Sequence, residues 1–195
     1  MLTLCIDTAY KYLSLSLIEN DEIIAAIDEE CFKKQSEMVF LKLDELFKIA
    51  NKKPLDIDSV CISEGPGSYT GVRIAMTIAK TICEVANLDL YTISTLKLYA
   101  NNYENTMVIM DARASRAYIG VYDKDNVIKE DCVMNLADIK FSNHNLVGDL
   151  SLFGEKDKMF KISHCFLNTK KSWKKVDNIT YLVPKYLKES DAYYR

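Results

Sequence analysis

Residues 64–73 read Glu-Gly-Pro-Gly-Ser-Tyr-Thr-Gly-Val-Arg and hold three of the six glycines in a chain of 195 residues. The stretch follows the apolar run SVCIS and leads into IAMTIAKTICEVA, so it turns a strand into a helix. Backbone N–H groups in such a turn, together with the helix N-terminus, can cradle a phosphate. Two phosphate signatures with a known mechanism do not fit. The pattern GxxxxGK[ST] needs a lysine that reaches the outer phosphates; here Thr70 stands where its second glycine belongs, and no lysine follows. The dinucleotide pattern GxGxxG fails because Gly65, Gly67 and Gly71 are spaced GxGxxxG, one residue too long. What the residues can do is narrower. Pro66 fixes φ and removes a donor. Gly67 permits a positive φ or a close approach of another segment. Ser68 or Thr70 can cap the helix that follows. An anion contact at Ser68, Thr70 and Gly71 stays open. Arg73 can fork onto a phosphate or pin the turn by pairing with Glu64, and Arg113 has the same two options beside Asp111.

The elements that must position this turn follow from periodicity. TLCIDT, YLSLSLIEN and EIIAAIDEE read as three strands, the second alternating strictly, with a tight turn at Asn20-Asp21. Ser36 can cap a helix running to about Asn51, whose face is Val39, Leu43, Leu46, Phe47 and Ala50. Asp56 to Ser63 reads as a strand, about Thr70 to Ala86 as a second helix, DLYTIS as a strand and TLKLYANNY as a short helix. The pattern then returns: the stretch from Ile6 lies over the stretch from Met110 at an offset of 104, placing Asp7 on Asp111, Leu15 on Ile119 and Leu17 on Val121. The order βββαβαβα is that of a ribonuclease H-like unit. Two such units make the α/β actin/hexokinase/Hsp70-like (ASKHA) architecture, with a cleft between lobes. The expected lobes are 1–101 and a smaller, reduced one at 102–195, with the break near Asn101-Asn102. NLVGDL and MFKISHCF read as short strands or helices. The second helix carries two apolar stripes, one of Val72, Ala75, Met76, Ala79, Cys83 and Ala86, the other of Ile74, Ile78, Ile82 and Val85. A helix lying on one face of a sheet needs only one stripe, so the second must meet the first helix or another protein.

Composition limits the setting. Apolar residues make up 49% of the chain and the formal net charge is −3, which supports a packed core and gives no overall electrostatic footprint for nucleic acid. Lys170, Lys171, Lys174 and Lys175 form one local basic run, read as a solvated face. The six cysteines show no CxxC spacing, and free thiols suit a reducing compartment. MLTLCIDTAY has an early acid and no basic stretch ahead of a long apolar core, and no apolar run reaches membrane-span length. A soluble, cytoplasmic chain without a membrane partner is expected.

IDTA, EGPGSYTGVRIAM, STL at Ser94 to Leu96, MDARASRAY and VPKYLKESDA follow one another in an order that resembles the TsaB, or YeaZ, family of the system that makes threonylcarbamoyladenosine in tRNA. The match is weakest from about Phe141 to Asp177. The resemblance implies a non-catalytic subunit that pairs with itself or with its larger catalytic relative TsaD, is joined by TsaE, and meets tRNA mainly through the complex. It implies an interface on the two helices, at Val39, Leu43, Ala75, Ile78, Ala79 and Ile82. TsaD-type proteins bind a metal through HxxxH on an early helix. The corresponding segment here, KKQSEMVFLKLDEL, has no histidine, and the two histidines, His144 and His164, come late. No catalytic residue, no zinc or iron site and no metallopeptidase activity are therefore expected. The actin-like fold supplies a rival. In its ATPases an acid ending the first strand of each lobe positions a metal-bound phosphate, so Asp7 and Asp111, with the Thr8 hydroxyl, would hold ATP or ADP and magnesium in a free-standing ATPase or small-molecule kinase. The second lobe lacks the expected glycine-rich adenosine loop, so no cofactor is expected to be required.

Overall fold

The computed structural model describes residues 1–31 and 34–187. The chain opens with an antiparallel meander, β1 (Leu2–Asp7), β2 (Tyr12–Glu19) and β3 (Glu22–Glu30). Asn20 and Asp21 both take positive φ, 49° and 65°, which lets a two-residue turn follow the twist of its strands. Helix α1 (Gln35–Ile49) crosses over to β4 (Ser59–Ser63), α2 (Tyr69–Ala86) crosses to β5 (Asp89–Ile93), and α3 (Thr95–Tyr99) follows. Strands β4 and β5 add parallel to β1.

The second part repeats the meander as β6 (Thr106–Arg113), β7 (Arg116–Asp123) and β8 (Asn126–Asn135), then adds β9 (Asn145–Gly148) parallel to β6. Helix α4 (Ile162–Asn168) and the two-residue β10 (Lys174–Lys175) complete the described elements. The first sheet has the order β10-β5-β4-β1-β2-β3 and the second β8-β7-β6-β9. Counted within each part, both place strands 3, 2, 1 and 4 side by side in that order.

Three expectations need correcting. Helix α1 starts at Gln35 with Lys34 as N-cap and no side-chain cap bond, so Ser36 lies inside the first turn. The strand expected from Asp56 begins at Ser59, because Pro54–Asp56 coil into a single 3-10 turn. The gapless overlay of the two halves holds at Asp7 and Asp111 but slips by one in the next strand. Ile6 pairs Leu15, whereas Met110 pairs Tyr118 rather than Ile119, with a register shift between Asp111 and Arg113. After β9 the chain returns to the first part: α4 packs on β1, β2 and β3, and β10 pairs with β5.

Three apolar clusters follow from strand alternation. Leu2, Leu4 and Ile6 of β1 face α1 and α2. Cys5 and Cys61, on the opposite face, join α3, α4 and the Val108, Met110 and Ala112 face of β6 in a core shared by both sheets. Met107, Ile109, Ile119 and Val121 lie on the far side of the second sheet, under short segments that include Leu136 and Leu150.

Candidate functional site

The glycine turn is occupied by the chain itself. Ser68 caps α2, its Oγ accepting from Gly71 N at 3.3 Å, a contribution of about 1 kcal/mol. Ser68 N donates to Ala9 O at 2.7 Å. A Cβ on Gly71 would stand 2.2 Å from Thr8 O, and one on Gly67 2.4 Å from Ala9 O. Glycine is thus required because the end of β1 runs directly against this turn. Thr8 is buried; its hydroxyl donates to Gly71 O at 2.7 Å and accepts from Ala75 N at 3.1 Å, fastening β1 to the start of α2. Gly65, at φ 106° before a cis Pro66, faces Lys185, whose N–H donates to Glu64 O at 2.8 Å. The VPKYLKESDA segment therefore lies along this turn as far as Leu187; its remaining residues fall outside the described ones. Arg73 is exposed, sits over the Tyr69 ring and donates to its hydroxyl, while Tyr69 stacks on Tyr186 at 5.4 Å. Thr70 is exposed.

Asp7 is sealed in the shared core at 0% exposure. Its carboxylate accepts from the Ser63 hydroxyl, from Tyr99 OH at 2.8 Å and from Ala9 N at 3.2 Å. Burial pushes its pKa above the ordinary carboxylate value, against the pull of those three donors. Asp111 is in different surroundings. It lines a pocket of about 260 Å³ with Tyr10, Lys11, Glu30, Arg113 and Asp149. Its carboxylate accepts from Arg113 N at 2.7 Å, and the Arg113 side chain lies 3.8 Å away. Residues 113–115 all take positive φ at this hairpin tip. The two acids are not brought into one cleft.

Between α1 and α2 runs an apolar groove of about 890 Å³, lined by Leu43, Phe47, Leu55, Ile78, Ile82 and Val85 among others. Phe40, Leu55 and Val85 at its edges are 66%, 91% and 84% exposed. Of the six residues expected to face a partner, Leu43, Ile78 and Ile82 line this groove. Val39, Ala75 and Ala79 do not: they are at most 1% exposed, packed in the core beneath both helices. The small side chains in α2 serve close approach to the sheet, and its larger second stripe faces outward.

The family model described as TsaD, tRNA N6-adenosine threonylcarbamoyltransferase, matches residues 27–164. The tRNA threonylcarbamoyladenosine biosynthesis protein TsaB of Bacillus subtilis (strain 168) is 30% identical over 162 residues, which span 81% of this chain and 68% of that protein. The chain belongs to the TsaB (YeaZ) family. TsaB of Escherichia coli (strain K12) is 30% identical over 131 residues, 64% of this chain and 56% of that protein. In fold, a Pseudomonas aeruginosa protein described as similar to peptidase YEAZ superposes with a TM-score of 0.80 at 16% identity, covering 96% of this chain and 99% of that one. YeaZ from the same organism gives 0.66 at 19% identity, over 73% and 71%.

In this TsaB-family chain two further acids organise the junction of the sheets. Asp149, 2% exposed just after β9, accepts from Tyr10 OH, from Lys11 Nζ at 2.6 Å and from Asp111 N at 2.7 Å. Burial, then the Asp149 charge, pushes the Tyr10 hydroxyl pKa up. Asp131 on β8 accepts from the Ser94 hydroxyl at 2.6 Å, from Tyr122 OH and from Lys185 Nζ at 3.0 Å. Sequence reading missed both. Each is a single acid near short or irregular strands, and its partners lie as far as 139 residues away. Among the described residues, no group of three or more His, Cys, Asp or Glu side chains is arranged to hold a metal ion. Among those residues, too, no helix is long and apolar enough to cross a membrane.

Proposed function

We propose that this chain is the non-catalytic subunit of the tRNA threonylcarbamoyladenosine system, activating a TsaD-type partner through the groove between α1 and α2. The observation that carries this is the exposed apolar groove, rimmed by Phe40, Leu55 and Val85, on a chain of this family. A protein that leaves such large side chains outward on two adjacent helices has a face suited to burial by a partner. The repeated strand order supports two ribonuclease H-like units, the second reduced, in an actin-like arrangement. A related fold such as TsaD would present a similar helical face, so self-pairing and TsaD-pairing compete for one surface. TsaE joins, and tRNA engages, in the assembled complex, in the cytoplasm.

The decisive experiment reconstitutes tRNA modification with TsaD and TsaE, with and without this chain, and sizes the complexes. Val85→Asp should abolish the TsaD complex while leaving the chain folded, since Val85 is solvent-facing already. A complex of unchanged size and affinity would defeat the groove assignment.

For nucleotide chemistry we propose that the chain alone turns over neither ATP nor ADP. Asp7 is sealed from solvent and held by Ser63, Tyr99 and Ala9, which argues against a role as a cation ligand. Magnesium-dependent ATP hydrolysis by the purified chain, lost in Asp7→Asn, would establish the ATPase reading instead.

A further inference from the structure

The formal net charge of −3 hides a segregation. Residues 156–175 carry seven lysines and one acid, while residues 1–153 carry 15 basic against 23 acidic side chains. The structure gathers part of that basic segment on one surface. In α4, Ile162, Ser163, Cys165 and Phe166 are buried. Lys161, His164, Asn168 and Lys171 are exposed at spacings of three and four, forming an outward stripe. Asn168 Nδ2 donates to Asn101 Oδ1 at 2.8 Å, which sets the stripe beside the α3–β6 connection. There a groove of about 550 Å³ is lined by Asn102, Tyr103, Glu104, Lys124, Asn145, Lys158 and Phe160. Tyr103, half exposed, leans on Phe160 at 5.0 Å, so one aromatic face is open and braced from behind. Asn102 Oδ1 is buried with no partner. Lys124 pairs with Glu104 at 2.6 Å, whereas Lys158, Lys161 and Lys171 form no ion pair among the described residues.

We infer that this stripe and groove form an RNA-binding track on the TsaB-type chain itself. It would contact the phosphate backbone through Lys158, Lys161 and Lys171 and stack an unpaired base on Tyr103. The arrangement joins cations spaced along a track with an aromatic platform, the combination that holds single-stranded segments without base-pair readout. Anionic lipid would be served by the lysines but makes no use of an exposed aromatic face. The inference rests on the tRNA-modification reading, with this chain making part of the tRNA contact rather than leaving it all to its partners.

The test is fluorescence polarisation of a labelled tRNA transcript with the full-length chain across a salt series. Binding should weaken with salt at a log–log slope of about −0.7 for each phosphate neutralised. The variant K158E/K161E/K171E should lower affinity at least about tenfold and reduce the slope by about 2. Tyr103→Ala should weaken binding by about tenfold with the slope unchanged. The control K129E/K140E, at residues that do not line the groove, should bind as the parent does. Equal affinity and slope for parent and K158E/K161E/K171E overturn the proposal, as does binding to phosphatidylserine vesicles with none to tRNA. Reconstitution separates the two layers. If modification proceeds fully without this chain, the functional reading fails. If the chain is required yet K158E/K161E/K171E keeps parental tRNA affinity, only the track fails.

Discussion

The first strands of the two sheets each carry an aspartate at or near the end, Asp7 and Asp111, 104 positions apart, and the molecule puts the two acids to different use. Asp7 is enclosed and held by three donors; Asp111 lines an open polar pocket, its amide tied to Asp149. The cause lies in what covers each sheet. In the first part, Leu4 and Ile6 face α1 and α2, which turns Cys5 and Asp7 toward the second sheet. In the second part, no helix spans β8 to β9. Val108 and Met110, the counterparts of Leu4 and Ile6, are covered by docking on the shared core with α3 and α4. Asp111 then points the other way. The different covering of the two sheets closes one acid in and leaves the other out, so a repeated strand order need not make a two-sided site.

The sharpest way to break that contrast is to remove each carboxylate. Asp7→Ala leaves the Ser63 and Tyr99 hydroxyls and the Ala9 amide without their acceptor in the core, and should cost about 3 kcal/mol. Asp111→Ala removes one turn contact from a partly exposed site and should cost less than about 1 kcal/mol. Urea melts of the two variants provide the measurement. Equal losses would mean that the two strand ends are equivalent after all.

How much of this was legible in the sequence depends on how local each feature is. The β2 strand, the turn at Asn20 and Asp21, and the helix capped by Ser68 are written in neighbouring residues and stand as read, although both faces of β2 are buried where its alternation suggested one. The failure of EGPGSYTGVR to match phosphate loops was also local. What fills the turn was not: Thr8 and Ala9 lie some sixty residues back, and Lys185 more than a hundred ahead. The six expected interface residues drew on both stripes of α2 for a related reason. Alanine permits close approach to a sheet or to a partner helix equally well, and only the packing of Ala75 and Ala79 decides. Asp149 and Asp131 were invisible because their importance comes entirely from distant donors.

The glycine turn offers the second test. If Gly71 exists to admit the Thr8 carbonyl, Gly71→Ala must push β1 off the start of α2, with a cost of about 2 kcal/mol. The Thr8 bonds to Gly71 O and Ala75 N would loosen with it, and faster hydrogen exchange at Ala75 would report this. Gly154 is the comparison, since a Cβ there meets nothing within 4 Å. Its φ of 81° alone should make Gly154→Ala cost about 1 kcal/mol. A Gly71→Ala protein as stable as its parent would return the turn to the status of a loop kept open for a ligand.

The smallest effect is a pH dependence that belongs to Asp7. Its folded pKa lies above the unfolded value of 3.8, chiefly because burial disfavours the charged form. Above 3.8 the unfolded chain gives up this proton while the folded chain keeps it. The stabilisation is therefore complete below that pH, declines as pH rises, and is gone once pH passes the folded value. Asp7→Asn carries no such proton. The stability of the parent minus that of Asp7→Asn should fall with pH above about 4 and then level off, by about 1.4 kcal/mol for each unit that the pKa is raised. Other titrating groups cancel in the difference. A flat curve for Asp7→Asn across the acid-to-neutral range would mean that Ser63, Tyr99 and Ala9 fully offset the burial, leaving a carboxylate charged enough to serve a cation after all.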